Sequence, residues 1–281
     1  MHALDYLRPR ELSEALAALA GGGWRVLAGG TDHFPARVEA TPEENILDIS
    51  GIAALRGIEV TPRHFRIGAG VTWTDLIRAE LPPCFDGLKL AAREVGGVQI
   101  QNAGTVAGNL CNASPAADGL PNLLVLDAAV DLATAGGRRR VPVGEFVAGN
   151  RLTRREPDEL VTAILVPRGF EQARSTFLKL GARKYLVISI AMVAALLEAE
   201  RERVKLARIA VGACSEVACR LPDLEAAVIG QPLGSSLGTL VREEHLAPLA
   251  PIDDTRASAG YRRDAVLVLL RRALDALAAG S

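Results

Sequence analysis

The sequence predicts a mixed α+β fold over residues 1–168 and a second α/β unit over 169–281. Three observations carry this. Stretches of helical and of strand-like periodicity alternate through the first 168 residues, two short apolar segments run into loops of Gly, Ala, Asn and Thr, and the composition shifts at Pro167-Arg168-Gly169. With 281 residues and 49% hydrophobic content, the chain can bury a sizeable core, and a chain of that length divides into two or three subdomains.

Taken in order, the first element is a helix between Pro9 and Ala20. Leu12, Ala15, Leu16 and Leu19 recur at helical spacing there, and Gly21-Gly22-Gly23 stops it. Trp24 to Ala28 reads as a buried strand; Ile46-Leu47-Asp48-Ile49 and Phe65-Arg66-Ile67 read as short strands. A helix opens around Thr74-Asp75-Leu76-Ile77, with Thr74 or Asp75 near its cap. Ser114 is placed to cap another helix, and Pro115 to occupy its first position, where a missing N–H costs nothing. Ala129 to Ala133 and Arg140 to Val143 form a hairpin around Gly136-Gly137. Beyond the composition shift, Val187 to Glu198 and Val204 to Ala213 are strands, and Ala265 to Ala278 is a terminal helix.

Charge and composition exclude several function classes. A net charge of −1 supplies no basic field for nucleic acid, and Arg138-Arg139-Arg140 beside Gly136-Gly137 reads as a solvated hairpin tip. No apolar run approaches the ~18 residues of a membrane span, and the N-terminus lacks a secretory pattern, so a cytoplasmic protein without a membrane span is expected. Cys84, Cys111, Cys214 and Cys219 are dispersed, without the spacing of an iron–sulfur or zinc site; they read as reduced, mostly buried thiols. His2, His33, His64 and His245 show no spacing for metal or triad chemistry. Only His33 stands near one of the two loops, in what reads as a solvated turn.

Those loops are the informative feature. Val26-Leu27-Ala28-Gly29-Gly30-Thr31-Asp32 ends an apolar run in two glycines and a hydroxyl. Gln99-Ile100-Gln101-Asn102-Ala103-Gly104-Thr105-Val106-Ala107-Gly108-Asn109-Leu110, then Asn112-Ala113-Ser114-Pro115-Ala116-Ala117-Asp118, combines small residues with short hydrogen-bonding ones. Backbone that presses against a phosphate or a flat cofactor needs Gly or Ala, and turns of exposed N–H groups make anion-binding concavities. Neither loop is a P-loop or a G-x-G-x-x-G fingerprint. Two of them could clamp one pyrophosphate from two sides.

The pair resembles the FAD-binding medium subunits of the xanthine dehydrogenase and carbon monoxide dehydrogenase family, whose first loop reads Ala-Gly-Gly-Thr-Asp, as Ala28 to Asp32 do. The family's second loop reads roughly Gln-Ile-Arg-Asn-x-Gly-Thr-x-Gly-Gly-Asn, then Ala-Ser-Pro-x-x-Asp. Here Gln101 replaces the Arg and Ala107 the first of two glycines. The extra methyl of Ala107 is expected to be accommodated; the lost Arg charge leaves the anchoring of the loop open. Ile67 to Thr72, Pro121 to Ala128, Lys179 with Arg183, and Ile252 to Ser258 with Tyr261-Arg262 also resemble family segments, so the likeness covers nearly the whole chain.

The resemblance implies the FAD-binding fold of the vanillyl-alcohol oxidase and p-cresol methylhydroxylase type in 1–168, with subdomains at about 1–55 and 56–168. It implies a C-terminal domain of the carbon monoxide dehydrogenase flavoprotein type in 169–281. FAD contacts are implied for Leu27, Ala28, Gly29, Gly30, Thr31 and Asp32, for Ile100, Gly104, Thr105, Gly108, Asn109, Asn112 and Asp118, and for Ile164 and Lys179. Lys179 would lie near the flavin, where a cation stabilises the anionic reduced form. No catalytic residue and no metal ligand is expected in the chain. A large subunit would carry the molybdopterin cofactor and a small subunit the 2Fe–2S clusters, in a hetero-oligomer. The FAD would pass electrons from those clusters to NAD, oxygen or a quinone-like acceptor.

Two alternatives stay open at the level of sequence. One is a self-sufficient FAD-dependent oxidoreductase of the same fold, which a chain this compact argues against. The other is an assembly subunit that lacks FAD, which the intact small residues of both loops argue against.

Overall fold

The computed structural model describes residues 4–35, 44–234 and 236–279; His2 lies outside them. Three sheets and nine α-helices are seen among the described residues, besides a two-stranded ribbon.

Strand β1 (Tyr6–Leu7) leads into α1 (Leu12–Ala20), then β2 (Trp24–Leu27) and β3 (Asn45–Asp48). The strands form a parallel sheet in the order β1–β3–β2. Helix α1 buries Ala15, Leu16 and Leu19, and beyond it Gly22 and Gly23 hold φ of +73° and +78°, the left-handed conformation that stops a helix cheaply only at glycine. The helix begins at Leu12, not Pro9, and the Glu14 carboxylate accepts the Arg10 N–H just ahead of it (3.3 Å). Trp24 and Val26 of β2 are only half-buried, and Arg25 is exposed, so that strand lies nearer the surface than its apolar run predicts.

The second region follows in order: β4 (Ile58–Val60), β5 (His64–Gly68), α2 (Trp73–Arg78), α3 (Asp86–Glu94), α4 (Val98–Ala103), α5 (Val106–Asn112), α6 (Gly119–Val125), β6 (Ala129–Thr134), β7 (Gly137–Pro142), α7 (Val143–Phe146), β8 (Val147–Gly149), β9 (Leu152–Thr153) and β10 (Leu160–Pro167). An antiparallel sheet runs β4–β5–β10–β6–β7, and β8–β9 is the separate ribbon. Two helix starts differ from expectation. The cap of α2 is Thr72, whose hydroxyl accepts the Asp75 N–H (3.1 Å) while Asp75 accepts the Thr72 N–H (3.0 Å), a reciprocal box that fixes the start earlier. Ser114 does not cap a helix: its hydroxyl accepts the Ala116 N–H (3.3 Å) within a turn. The helix of the second loop begins instead behind Thr105, whose hydroxyl accepts the Gly108 N–H (2.9 Å). The three arginines lie along β7 rather than at the hairpin tip. Arg139 grips the buried Glu159 (2.8 Å), and Arg138 and Arg140 flank Asp131.

The third sheet, β11 (Arg174–Leu180), β12 (Ala191–Glu200), β13 (Arg203–Gly212) and β14 (Cys219–Arg220), is antiparallel in chain order. Helices α8 (Pro222–Val228) and α9 (Ala259–Ala279) complete the chain. Residues 187–190 precede β12 rather than opening it: Ser189 is drawn to Asp118, and the Ile190 carbonyl accepts from Arg262. Arg262 is 3% exposed, donates also to the Ala213 carbonyl (2.9 Å) and pairs with Asp254 (2.7 Å). The C-terminal signature thus ties α9 to the ends of β12 and β13. Alternate residues of β12 serve different cores, as the two-residue period of a strand requires. Met192, Ala194 and Leu196 join the cluster built on the five-stranded sheet and α2, α3, α5 and α6, whereas Ala191, Val193, Ala195 and Leu197 pack with α8 and α9.

Candidate functional site

The first loop leaves β2 at Ala28. Gly30 holds φ of +68°, and its carbonyl accepts the Phe34 N–H (3.3 Å). The N–H groups of Gly29, Gly30, Thr31 and Asp32 find no acceptor among the described residues. Four successive main-chain donors without a partner among the described residues are suited to an anion. The second loop is pinned to the segment before α2: the Val106 N–H donates to the Val71 carbonyl (3.1 Å), and the Trp73 N–H to the Gly104 carbonyl (3.1 Å). The two loops meet backbone to backbone. A Cβ on Gly29 would stand 1.8 Å from the Ala103 carbonyl oxygen, and one on Gly104 would lie 3.2 Å from the Thr31 hydroxyl.

Two cavities flank this junction, each lined by residues of both loops. One, of about 240 Å³, is bounded by Ala28, Gly29, Ser50, Arg56, Asn102 and Thr105. The other, of about 280 Å³, is bounded by Asp32, Asn109, Asn112, Asp118, Arg151 and Lys179. In the second cavity Lys179 is not a surface lysine. It is 7% exposed, and its Nζ lies 2.6 Å from the Asp118 carboxylate, itself 7% exposed. The Ser189 hydroxyl donates to the other Asp118 oxygen (2.5 Å). Burial pushes the Asp118 carboxyl above the usual carboxylate range, against the pull of Lys179 and Ser189. The Lys179 charge is therefore already matched by a carboxylate within the site.

Of the other expected contacts, Leu27 is buried beneath the first loop, Ile100 is exposed on α4, and Gly108 fits against the Thr105 hydroxyl, 2.7 Å from where its Cβ would stand. Ile164 is fully buried in mid-β10 and lines neither cavity. Nor does His33, which lies 4.0 Å from Glu44 and sets its ring edge-on to Phe34. The four thiols are unpaired; burial raises Cys84 and Cys214 to about 12 and Cys111 to about 11, which keeps them as unreactive thiols. No cluster of metal-ligating side chains occurs among the described residues, and no described helix is long and apolar enough to cross a membrane.

Three site residues escape sequence reasoning: Arg151, Ser189 and, in its role, Gln101. The Gln101 amide donates to the carbonyls of Arg93 and Val95, each at 3.2 Å, and so fastens the second loop to the C-terminal end of α3 without a charge. Ala107 is 3% exposed, its methyl absorbed in the main core. Gln101→Ala should lower stability by about 1 kcal/mol, whereas Gln101→Arg, which can reach the same carbonyls, should lie within about 0.5 kcal/mol of wild type. Denaturant melts check both.

Residues 2–169 match the family described as the FAD binding domain in molybdopterin dehydrogenase, and residues 176–277 match the CO dehydrogenase flavoprotein C-terminal domain. The chain is 30% identical to the glyceraldehyde dehydrogenase medium chain of Sulfolobus acidocaldarius, with 98% of each chain covered. It is 29% identical to the xanthine dehydrogenase FAD-binding subunit of Escherichia coli O157:H7, over 96% of this chain and 94% of the other. The structure of reconstituted CO dehydrogenase from Oligotropha carboxidovorans superposes with a TM-score of 0.90 at 27% identity, over 100% of this chain and 99% of that one. With both loops, both domains and the full-length likeness in place, the chain belongs to the family of FAD-binding medium subunits of the molybdenum-containing xanthine and carbon monoxide dehydrogenases.

Proposed function

We propose that this chain is the electron-transfer flavin subunit of a cytoplasmic molybdenum hydroxylase, receiving electrons from 2Fe–2S clusters of a small subunit and delivering them to NAD, oxygen or a quinone-like acceptor. The observation that carries the reading is the backbone contact of Gly29 with Ala103, beside a loop whose four N–H groups have no partner among the described residues and whose two ends, Gly29 and Asp32, each line one cavity. A cofactor with a diphosphate between two bulky ends suits such a site, because the donors match the diphosphate and each cavity takes one end. When bound, FAD would accept electrons singly and release them in pairs.

The chain's own residues bind and orient. Gly29, Gly30, Thr31 and Asp32 offer main-chain donors, Thr105 and Asn109 short polar side chains, and Gly104 and Gly108 let the Thr31 and Thr105 hydroxyls pack close against the second loop. Asn112, Asp118 and Lys179 line the second cavity, where the Lys179–Asp118 pair presents a fixed dipole rather than a bare cation. Leu27 and Ile164 back the site from the core. The cofactor region is assigned to 1–168, in subdomains at about 1–55 and 56–168, and the C-terminal domain to 169–281. Substrate oxidation is assigned to a molybdopterin-bearing large subunit.

The test is the absorbance spectrum of the chain expressed alone, before and after anaerobic dithionite. Bands near ~450 nm that bleach on reduction, with FAD released on denaturation, are expected. A colourless, folded chain that also ignores added FAD would overturn the reading.

A further inference from the structure

We propose that Arg151, at the tip of the β8–β9 ribbon, is the positioning cation of the site: it holds the two loops together and reads the diphosphate of the ligand they cradle. The inference rests on the flavin-subunit reading above. Arg151 Nη1 donates to the Asp32 carboxylate of the first loop (3.1 Å) and to the Asn112 side-chain oxygen at the end of α5. One guanidinium nitrogen therefore touches both halves of the cradle, 119 and 39 residues away in sequence. Its Nε and Nη2 have no acceptor among the described residues, and the side chain is 55% exposed. A planar fork with unused donors is suited to two phosphate oxygens at once.

The other cations of the two cavities are differently placed. Lys179 is buried against Asp118, and Arg56 donates to the Ser50 carbonyl. Electrostatics also calls for a cation at this point. A diphosphate on the N–H groups of residues 29–32 would lie beside the Asp32 carboxylate, and Arg151 both offsets that charge and keeps donors in reserve. The backbone is built to hold it there. Arg151 adopts φ of +60°, and its N–H donates to the carbonyl of Ala113, itself at φ of +48° (2.9 Å). Two left-handed non-glycine residues in contact are an uncommon arrangement that surrounding structure must enforce. From the other side the Glu216 carboxylate accepts the N–H of Asn150 (3.2 Å), so the ribbon tip is fixed before the side chain reaches the site.

The experiment is titration of the FAD-depleted full chain with FAD, followed by flavin fluorescence at several salt concentrations, for wild type, Arg151→Gln and Arg151→Lys. Arg151→Gln should bind FAD about tenfold more weakly or worse, with a flatter dependence of Kd on salt. Arg151→Lys should fall between the two and keep the wild-type salt dependence, because a point charge remains but the fork is lost. The melting temperatures of the ligand-free chains should lie close together, because so exposed a tie adds little to stability. Wild-type affinity in Arg151→Gln overturns the proposal, and so does weakened binding with an unchanged salt dependence, which would leave Arg151 a loop tie only. If the Gln chain does not fold, the Lys chain decides: wild-type affinity there is equally fatal. A wild-type chain that binds no FAD removes the flavin-subunit reading and this inference together, whereas wild-type binding with an indifferent Arg151→Gln removes this inference alone.

Discussion

Gly29→Ala is expected to lower FAD affinity by about 100-fold or more, equivalent to roughly 2.7 kcal/mol, and to destabilise the chain by about 2–4 kcal/mol. The reason is what the added methyl would meet. Its nearest neighbours are the Ala103 carbonyl oxygen at 1.8 Å, the Ala103 carbonyl carbon at 2.4 Å and Gly104 Cα at 2.9 Å. All three are main-chain atoms, so no side chain can rotate away. Either the first loop lifts off the second, or the end of α4 unwinds, and each route separates the two halves of the cradle. Gly30→Ala carries a different penalty, at a left-handed φ and against the movable Phe34 ring, and should be the milder change. Gly137→Ala, with open space around the position, is the control: it should fold and bind as wild type. Denaturant melts and FAD titration of the three variants check the order. A Gly29→Ala chain that binds like the control would mean the loops do not cooperate.

The parts of this molecule that were legible in the sequence are those fixed by local chemistry. The stop after α1 follows from three glycines, and the hairpin β6–β7 from the turn at Gly136-Gly137. What was not legible depends on residues far apart in the chain. The Thr72–Asp75 box that starts α2 is the exception, a local Thr-x-x-Asp pattern that was there to be read; Thr105 rather than Ser114 begins the loop helix because Val71 and Trp73 pin the backbone on either side of it. Arg138 to Arg140 sit along a strand because Glu159 and Asp131 lie across the sheet from them. β11 is half-buried with mixed polarity, and it borrows its register from β12. Arg151 shows the limit most plainly. Its partners, Asp32 and Asn112, are on two other elements. The same holds for Gln101, whose amide meets the open carbonyls of α3.

Removing the Lys179 charge is expected to be the most costly side-chain change in the site. Lys179→Met leaves the Asp118 carboxylate buried, with Ser189 as its remaining side-chain donor, and breaking a buried pair by deleting one partner costs about 3–5 kcal/mol. The loss should depend on pH, with a definite sign. Burial already pushes the Asp118 carboxyl upward, and without Lys179 it rises further, so the folded chain holds its proton more tightly than the unfolded chain does. Stability then falls as the pH rises from the unfolded carboxylate value through the folded one. Lys179→Met should consequently be nearer to wild type at about pH 5 and poorest at about pH 8. The double variant Lys179→Met/Asp118→Asn replaces the pair by two neutral groups of similar size, and should recover most of the lost stability, since neutral replacement of a buried pair is often harmless. Flavin retention need not follow stability. Both residues line the second cavity, so a double variant that is stable yet holds FAD less tightly would separate the pair's part in the fold from its part in the site. Equal loss in the single and double variants, at every pH, would show instead that an unpaired Asp118 carboxylate is not what costs the stability.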